Sequence, residues 1–546
     1  LLALAIIFCS FSTQDLQSEQ TVGLFKNSQE SYNGYTLFSP MNGFNTYLID
    51  NCGEQVHKWE TGKLPAMSAY LMPNGYLIRP AKTLNNNFSE GGSGGLIQIY
   101  DWDGKLIWEY SVSSETECQH HDVAPMPNGN ILVISWEKHN KADADSLGKV
   151  IMGDEFWSEK IVEIKPNFKD GTGERVWEWR VLDHSVQNTN LELSTYGDIT
   201  SPELVNINYT TKPLSKVDWL HFNSIDYNEK LDQILISNHT FGEVWVIDHS
   251  TTTLEAKGHK GGKSGKGGDL LYRWGNPASY GHGTAEDQIL SRQHGAAWIK
   301  NNIEKEGMIS IYNNHASKDI NIDYSVVEVI NPPLNKDNTY TFTLPSYEPK
   351  EANWKYPSTP DTNFYSKNLS NAQFLSNGNA LICNGPSGTL IELDHKDSVV
   401  WKYVNPVGFN GVIIKQGEMA SSNEVFRVQR YDVDYPAFAG KDLTPTGYIE
   451  PGSDFTCKLY DNPDTGVDEN TSDGIGIISK NKVLNITSNL EITNISIYNL
   501  LGNKLLDKSL KSNRSLIDVI GFNYGLYFVK ISFANGKVKS YKTIIE

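Results

Sequence analysis

Pro125-Met126-Pro127-Asn128-Gly129-Asn130-Ile131-Leu132-Val133 reads as strand, tight turn, strand. Asn-Gly between apolar runs is the strongest short hairpin signal, because both residues tolerate the positive φ that tight hairpin turns need. The phrase returns as Leu71-Met72-Pro73-Asn74-Gly75-Tyr76-Leu77-Ile78 and as Phe374-Leu375-Ser376-Asn377-Gly378-Asn379-Ala380-Leu381-Ile382. A second phrase accompanies it: an apolar strand, an acidic turn, then a strand ending near Trp. Examples are GLIQIYDWDGKLIWEY (95–110), KIVEIKPNFKDGTGERVWEWR (160–180) and GTLIELDHKDSVVWKY (388–403). Together they make a four-stranded unit that recurs at roughly 50–100 residues, the signature of radial β-repeats. Five units are clear between residues 20 and 440, with room for a sixth. The prediction is an all-β chain: a six-bladed β-propeller over 20–455, with a β-sandwich array as the alternative. Trp59, Trp108, Trp177, Trp179 and Trp401 end strands at matching places and are expected to pack between blades.

Composition narrows the function. Hydrophobic residues make 39% and charged residues 21% of 546, with mean hydropathy -0.42, which excludes a disordered chain and a multi-span membrane protein. The formal charge of -18 and the lack of any basic stretch disfavour nucleic acid as a partner. The apolar run LLALAIIFCS is too short to span a bilayer and reads as the remnant of a secretory signal peptide, assigned to 1–18. Cys52, Cys118, Cys383 and Cys457 then remain in an oxidising compartment, where one or two disulfides could form; the sequence does not pair them. Residues 456–475 are rich in Asp, Asn, Gly, Pro and Thr and read as a linker. The alternating strands of 476–546 suggest a small C-terminal β-sandwich.

Histidines carry the candidate chemistry. His120, His221 and His294 each sit seven residues before a hairpin turn, at Pro127, Asn228 and Asn301. Equivalent points of different blades lie on a ring about the axis, so three imidazoles would converge in the channel. A lone His is usually a satisfied polar residue; three at one repeat position among 13 make coincidence a weak account. Such a ring permits nucleophilic group transfer, or binding of Zn²⁺ or Cu²⁺. His121 could replace His120, one residue away. The loop Gly258–Gly268 lacks the spacing of a P-loop and reads as a mobile basic loop over the funnel; Arg273 either lines its mouth or packs at a strand end, the second being the commoner role of such a residue.

Two family resemblances follow from motifs. Ile495-Ser496-Ile497-Tyr498-Asn499-Leu500-Leu501-Gly502, Tyr524-Gly525-Leu526-Tyr527-Phe528-Val529-Lys530 and the terminal Lys542-Thr543-Ile544-Ile545-Glu546 resemble the C-terminal sorting domain of the type IX secretion system of Bacteroidetes. That resemblance implies the secretion machinery as partner and a secreted or cell-surface location. Gln119-His120-His121-Asp122, Asp218-Trp219-Leu220-His221-Phe222-Asn223-Ser224, Gly268-Asp269-Leu270-Leu271-Tyr272-Arg273-Trp274-Gly275-Asn276-Pro277, Gln293-His294-Gly295-Ala296 and Phe426-Arg427-Val428-Gln429-Arg430-Tyr431 resemble bacterial aryl-sulfate sulfotransferases. The resemblance implies transfer of a sulfuryl group from an aryl sulfate to a phenol, without nucleotide donor or other cofactor. His294 matches the histidine that becomes sulfated, and His120 and His221 match its two partners. His239 stands where the family has an Arg, so an always-charged fork is replaced by a titratable group. His121 and Arg273 are expected to touch substrate. A non-catalytic or glycan-binding surface propeller and a His-ligated metal enzyme are the alternatives.

Overall fold

The computed structural model describes residues 20–300, 302, 304–319, 321–453, 456–460, 462, 476–480, 482–499, 503–523 and 525–545. The apolar N-terminal run, most of the expected linker, Asn301, Leu500–Gly502 and Tyr524 lie outside the described residues. The chain divides into two compact units, 1–460 and 461–546.

Among the described residues of the first unit, six antiparallel sheets of four or five strands follow one another along the chain. Their edge strands are β1 (Tyr70–Leu71), β2 (Glu117–Pro125), β3 (Phe222–Asn228), β4 (His294–Trp298), β5 (Asn371–Phe374) and β6 (Val425–Asp432). β6, the last, pairs with Gly34–Pro40, so the two ends of the unit share one sheet. Gly23–Asn27 adds a fifth strand to the sheet of β5.

Hydrogen bonds link the edge strands in a cycle. The Tyr70 hydroxyl donates to Asp122 at 2.7 Å, and Ile225 N–H donates to Asp122 at 3.2 Å. Trp298 N–H donates to Asp226 at 2.9 Å, and Ser310 beside β4 donates to Ala372 O at 3.2 Å. Asn371 and Val428 exchange two bonds, and Leu71 N–H returns to the Tyr431 hydroxyl at 2.8 Å. Asp122 and Asp226 therefore serve the joints between sheets.

The tryptophans staple the outer strands. Trp59 donates its indole N–H to Asp101 O, Trp108 to Thr172 O, Trp179 to Gly268 O and Trp401 to Asn51 O, each in the neighbouring sheet or the loop beside it. Each places a large apolar ring between sheets while satisfying its one donor. The hairpin phrase differs in one detail from expectation. Only the Gly of each Asn-Gly takes positive φ (Gly75 85°, Gly129 86°, Gly378 94°), while the Asn side chain accepts from the backbone N–H two residues on. These are type I turns closed by a left-handed Gly, the three-residue loop of that class.

Cys52 and Cys457 form a disulfide across 405 residues, tying the turn before Gln55–Glu60 to the segment beyond β6. Cys118 and Cys383 are buried thiols. In the second unit, Val483–Tyr498 pairs along its length with Lys504–Asp518 and on its other edge with Gly476–Lys480 and Gly525–Phe533. Its core is Leu484, Ile486, Ile495, Ile497, Val529, Ile531 and neighbours. No helix among the described residues is long and apolar enough to cross a membrane.

Candidate active site

Left-handed backbone recurs in or just before every edge strand: His121 (φ 52°) within β2, His221 (φ 59°), Arg292 (φ 54°) and Ser422 (φ 52°) before β3, β4 and β6, and Met67 and Leu369–Ser370 before β1 and β5. Such backbone is uncommon outside Gly and clusters at functional sites. His121 and His221 share this left-handed backbone.

Four imidazoles form a chain. Ring centroids lie 4.6 Å apart for His121 and His221, 5.0 Å for His221 and His239, and 5.5 Å for His239 and His294. Phe426 closes the group at 6.2 Å from His121 and 6.4 Å from His294. Sequence analysis assigns the Phe426 stretch to the family but gives the residue no role.

Each imidazole has a defined neighbour. His294 Nδ1 lies 2.9 Å from Asn314 Oδ1 and 3.0 Å from Arg292 O. Asn314 spends its amide hydrogens on Ser366 O and Leu369 O, which fixes its oxygen as the acceptor. Nδ1 therefore carries the hydrogen, and Nε2 is left with the lone pair. Burial lowers the His294 pKa to about 4. His221 Nδ1 bonds the Asp218 carboxylate, which also receives Lys212 at 3.2 Å. His221 and Lys212 overcome burial and hold the Asp218 carboxyl below its usual range. His239 Nδ1 is buried without a hydrogen-bond partner among the described residues, and burial lowers its pKa well below 6.5. Burial therefore disfavours a positive charge on this imidazole.

His120 is placed behind the group rather than in it. Its ring stacks on Trp136 at 4.0 Å, is fully buried, and uses both nitrogens: Nε2 is 2.8 Å from Glu159 Oε2 and Nδ1 is 2.9 Å from His121 Nδ1. Burial lowers the His120 pKa to about 3, pushes the Glu159 carboxyl well above its usual range, and pushes His121 well below. Phe222 N–H donates to Glu159 Oε1 at 2.9 Å. Glu159, Trp136 and Asn314 carry no motif of their own; only the fold brings them to the histidines.

Arg273 is a correction. It is fully buried and forks onto Glu243 at 2.6 and 3.1 Å, with Ser279 and Leu204 O taking its other hydrogens. A cation closed in this way reaches no substrate. The basic loop is likewise engaged: Lys263 pairs with Asp232 at 3.2 Å and Lys266 with Glu203 at 2.7 Å. A different cation stands beside the imidazoles. Arg427, next to Phe426, pairs with Asp122 at 2.8 Å and donates to the Tyr70 hydroxyl. It lines a cavity of about 450 Å³ together with Tyr70, Trp298, Phe374 and Tyr431.

The first unit is thus all-β, built of repeated sheets, with four imidazoles gathered in a chain beside the edge strands. Residues 25–431 match the model of the arylsulfotransferase (ASST) family, and the chain belongs to that family. Residues 480–546 match the secretion system C-terminal sorting domain, which directs the chain to secretion or the cell surface. No curated protein matches the chain. Among solved structures it is similar to a protein of unknown function from Bacteroides caccae, with 13% identity, 73% of this chain and 99% of that one covered, and TM-score 0.39. A streptogramin B lyase is similar at 10% identity, with 76% and 95% covered and TM-score 0.33. The periplasmic gluconolactonase of Pseudomonas aeruginosa is similar at 10%, with 86% and 96% covered and TM-score 0.30.

Proposed function

We propose that the chain is a secreted aryl-sulfate sulfotransferase working through a sulfated His294, in a six-bladed propeller whose blades are the six sheets. The cycle of edge-strand bonds and the sheet shared by both chain ends support the blade reading. The C-terminal unit is proposed as a small sorting sandwich, because on one edge Val483–Tyr498 pairs its first half with Gly476–Lys480 and its second half with Gly525–Phe533.

The observation that carries the mechanism is the anchoring of His294 Nδ1, which leaves Nε2 as a neutral nucleophile at physiological pH. Nε2 attacks the sulfur of the bound aryl sulfate in line. The N–S bond forms, the S–O(aryl) bond breaks, and charge spreads over the sulfuryl oxygens, as in phosphoryl transfer. His221, held by Asp218, and His239 are proposed to bind those oxygens, and Phe426 to face the aryl ring.

The departing phenolate needs a proton. Glu159 Oε2–H, His120 Nδ1–H and His121 form an unbroken hydrogen-bonded line. His121 gives its Nε2 hydrogen to the phenolate and receives His120's at Nδ1. His120 in turn receives Glu159's at Nε2, leaving a carboxylate. In the second half the acceptor phenol returns a proton by the reverse route, and its oxygen takes the sulfuryl group from His294.

The assay is phenol release from a nitrophenyl sulfate, which should speed up when a second phenol is added and need no added metal. His294→Ala should abolish it. Undiminished transfer by that variant would remove the proposal.

A further inference from the structure

We propose that His184, His259 and Asp269 form a binding site for a divalent transition-metal ion of the zinc class, apart from the imidazole group. Among the described residues, this is the one set of three or more His, Cys, Asp or Glu whose donor atoms all lie within 4.8 Å of one another. His184 ends the short helix Val181–His184; His259 and Asp269 bracket the Gly- and Lys-rich loop.

Two acceptors face each other at the centre of the set. His184 is fully buried and its Nε2 lies 2.8 Å from Ala256 O. A carbonyl only accepts, so Nε2 carries the hydrogen and a neutral ring has its lone pair on Nδ1. That lone pair lies 2.8 Å from Asp269 Oδ1, another acceptor. His259 Nδ1 reaches the same oxygen at 2.8 Å. Something positive must lie between His184 Nδ1 and Asp269 Oδ1. His259 can meet that oxygen with its own Nδ1 hydrogen, but the His184 contact needs an added positive centre, which a metal ion shared by all three donors supplies. The Nε2–H bond to a backbone carbonyl is also the outer-shell bond that orients a metal-ligating imidazole.

The surroundings hold the donors in place. Trp179 stacks on His184 at 5.5 Å and donates to Gly268 O at 2.7 Å. Gly268 is required there, since a Cβ would lie 2.6 Å from His184 Nε2 and 2.0 Å from Ala256 O. Two imidazoles and one carboxylate suit Zn²⁺ rather than Ca²⁺ or Mg²⁺, which take oxygen donors. Because the His259 side chain is 61% exposed, the ion keeps an open position toward solvent. The site clips the loop between residues 259 and 269 onto the sheet.

The test uses the full chain, stripped with chelator and titrated with Zn²⁺ and Co²⁺. Wild type should bind one ion per chain, with the Co²⁺ absorption of mixed N and O ligation and a thermal midpoint that rises with Zn²⁺. His259→Ala, at an exposed position, should stay folded, weaken binding at least tenfold and lose the thermal response. His294→Ala should bind as wild type. Failure of wild type to bind either ion would overturn the site and leave a proton-held pair. Binding lost in His294→Ala but kept in His259→Ala would overturn it as well, by moving the ion to the imidazole group.

Discussion

Glu159 is the residue whose role the geometry makes most specific. It is buried, its carboxyl pKa is raised by burial, and it is joined to His120, so in the proposed mechanism its proton passes through His120 and His121. Glu159→Gln keeps a donor toward His120 but gives up no proton. Turnover of phenyl sulfates with basic leaving groups should fall about 100-fold, the scale of a general acid. A 4-nitrophenyl donor, whose phenolate leaves unaided, should lose less than about tenfold. Equal losses for both donors would show that Glu159 only holds the fold. This residue is invisible in the sequence, lying in an ordinary strand 39 positions from its partner. The histidines are visible in the sequence, but the order of His120 and His121 about the group is not. Counting back from the turns selects His120, yet the pairing of β2 slips between Val133 and Ser135, and it is His121, within β2, that shares the left-handed backbone of His221. A linear count does not register an inserted residue.

At the scale of elements, the repeated phrases are well founded because the physics behind them is local. Asn-Gly marks a turn wherever apolar runs flank it, and Trp at a strand end marks a joint. Gly129 tests the turn: it has φ 86°, and a Cβ added there would meet no atom within 4 Å, so crowding plays no part. Gly129→Ala should therefore destabilise by about 1–2 kcal/mol, the cost of left-handed backbone for an L-residue. Urea unfolding would measure it, and an unchanged midpoint would contradict the turn assignment. Arg273 shows the converse. Its motif is legible but its environment is not, because the partners Glu243, Ser279 and Leu204 come from three other segments.

For the whole molecule, the buried imidazoles set the response to acid. His120, His121, His239 and His294 all have native pKa values below 6.5, so as pH falls below 6.5 the unfolded chain binds protons the native one refuses. Each removes about 1.4 kcal/mol of stability per pH unit. Glu159, with its pKa raised, opposes one of them above pH 4.5. Stability should thus be fully present above pH 6.5 and fall between pH 6 and 4.5 by at most roughly 4 kcal/mol per unit. Urea midpoints that stay level from pH 7 to 5 would contradict neutral burial of the group. The disulfide between Cys52 and Cys457 suits an exported chain, and it holds the unit's closing segment through that change. The central claim is that His294 carries the sulfuryl group between donor and acceptor. Mixing the full chain with an aryl sulfate, without acceptor, and quenching in alkali before peptide mass spectrometry tests it directly. The account predicts one added SO₃ on the peptide containing His294, discharged when a phenol is supplied before the quench. An unmodified His294 peptide at full donor turnover, or SO₃ on another residue, would contradict it.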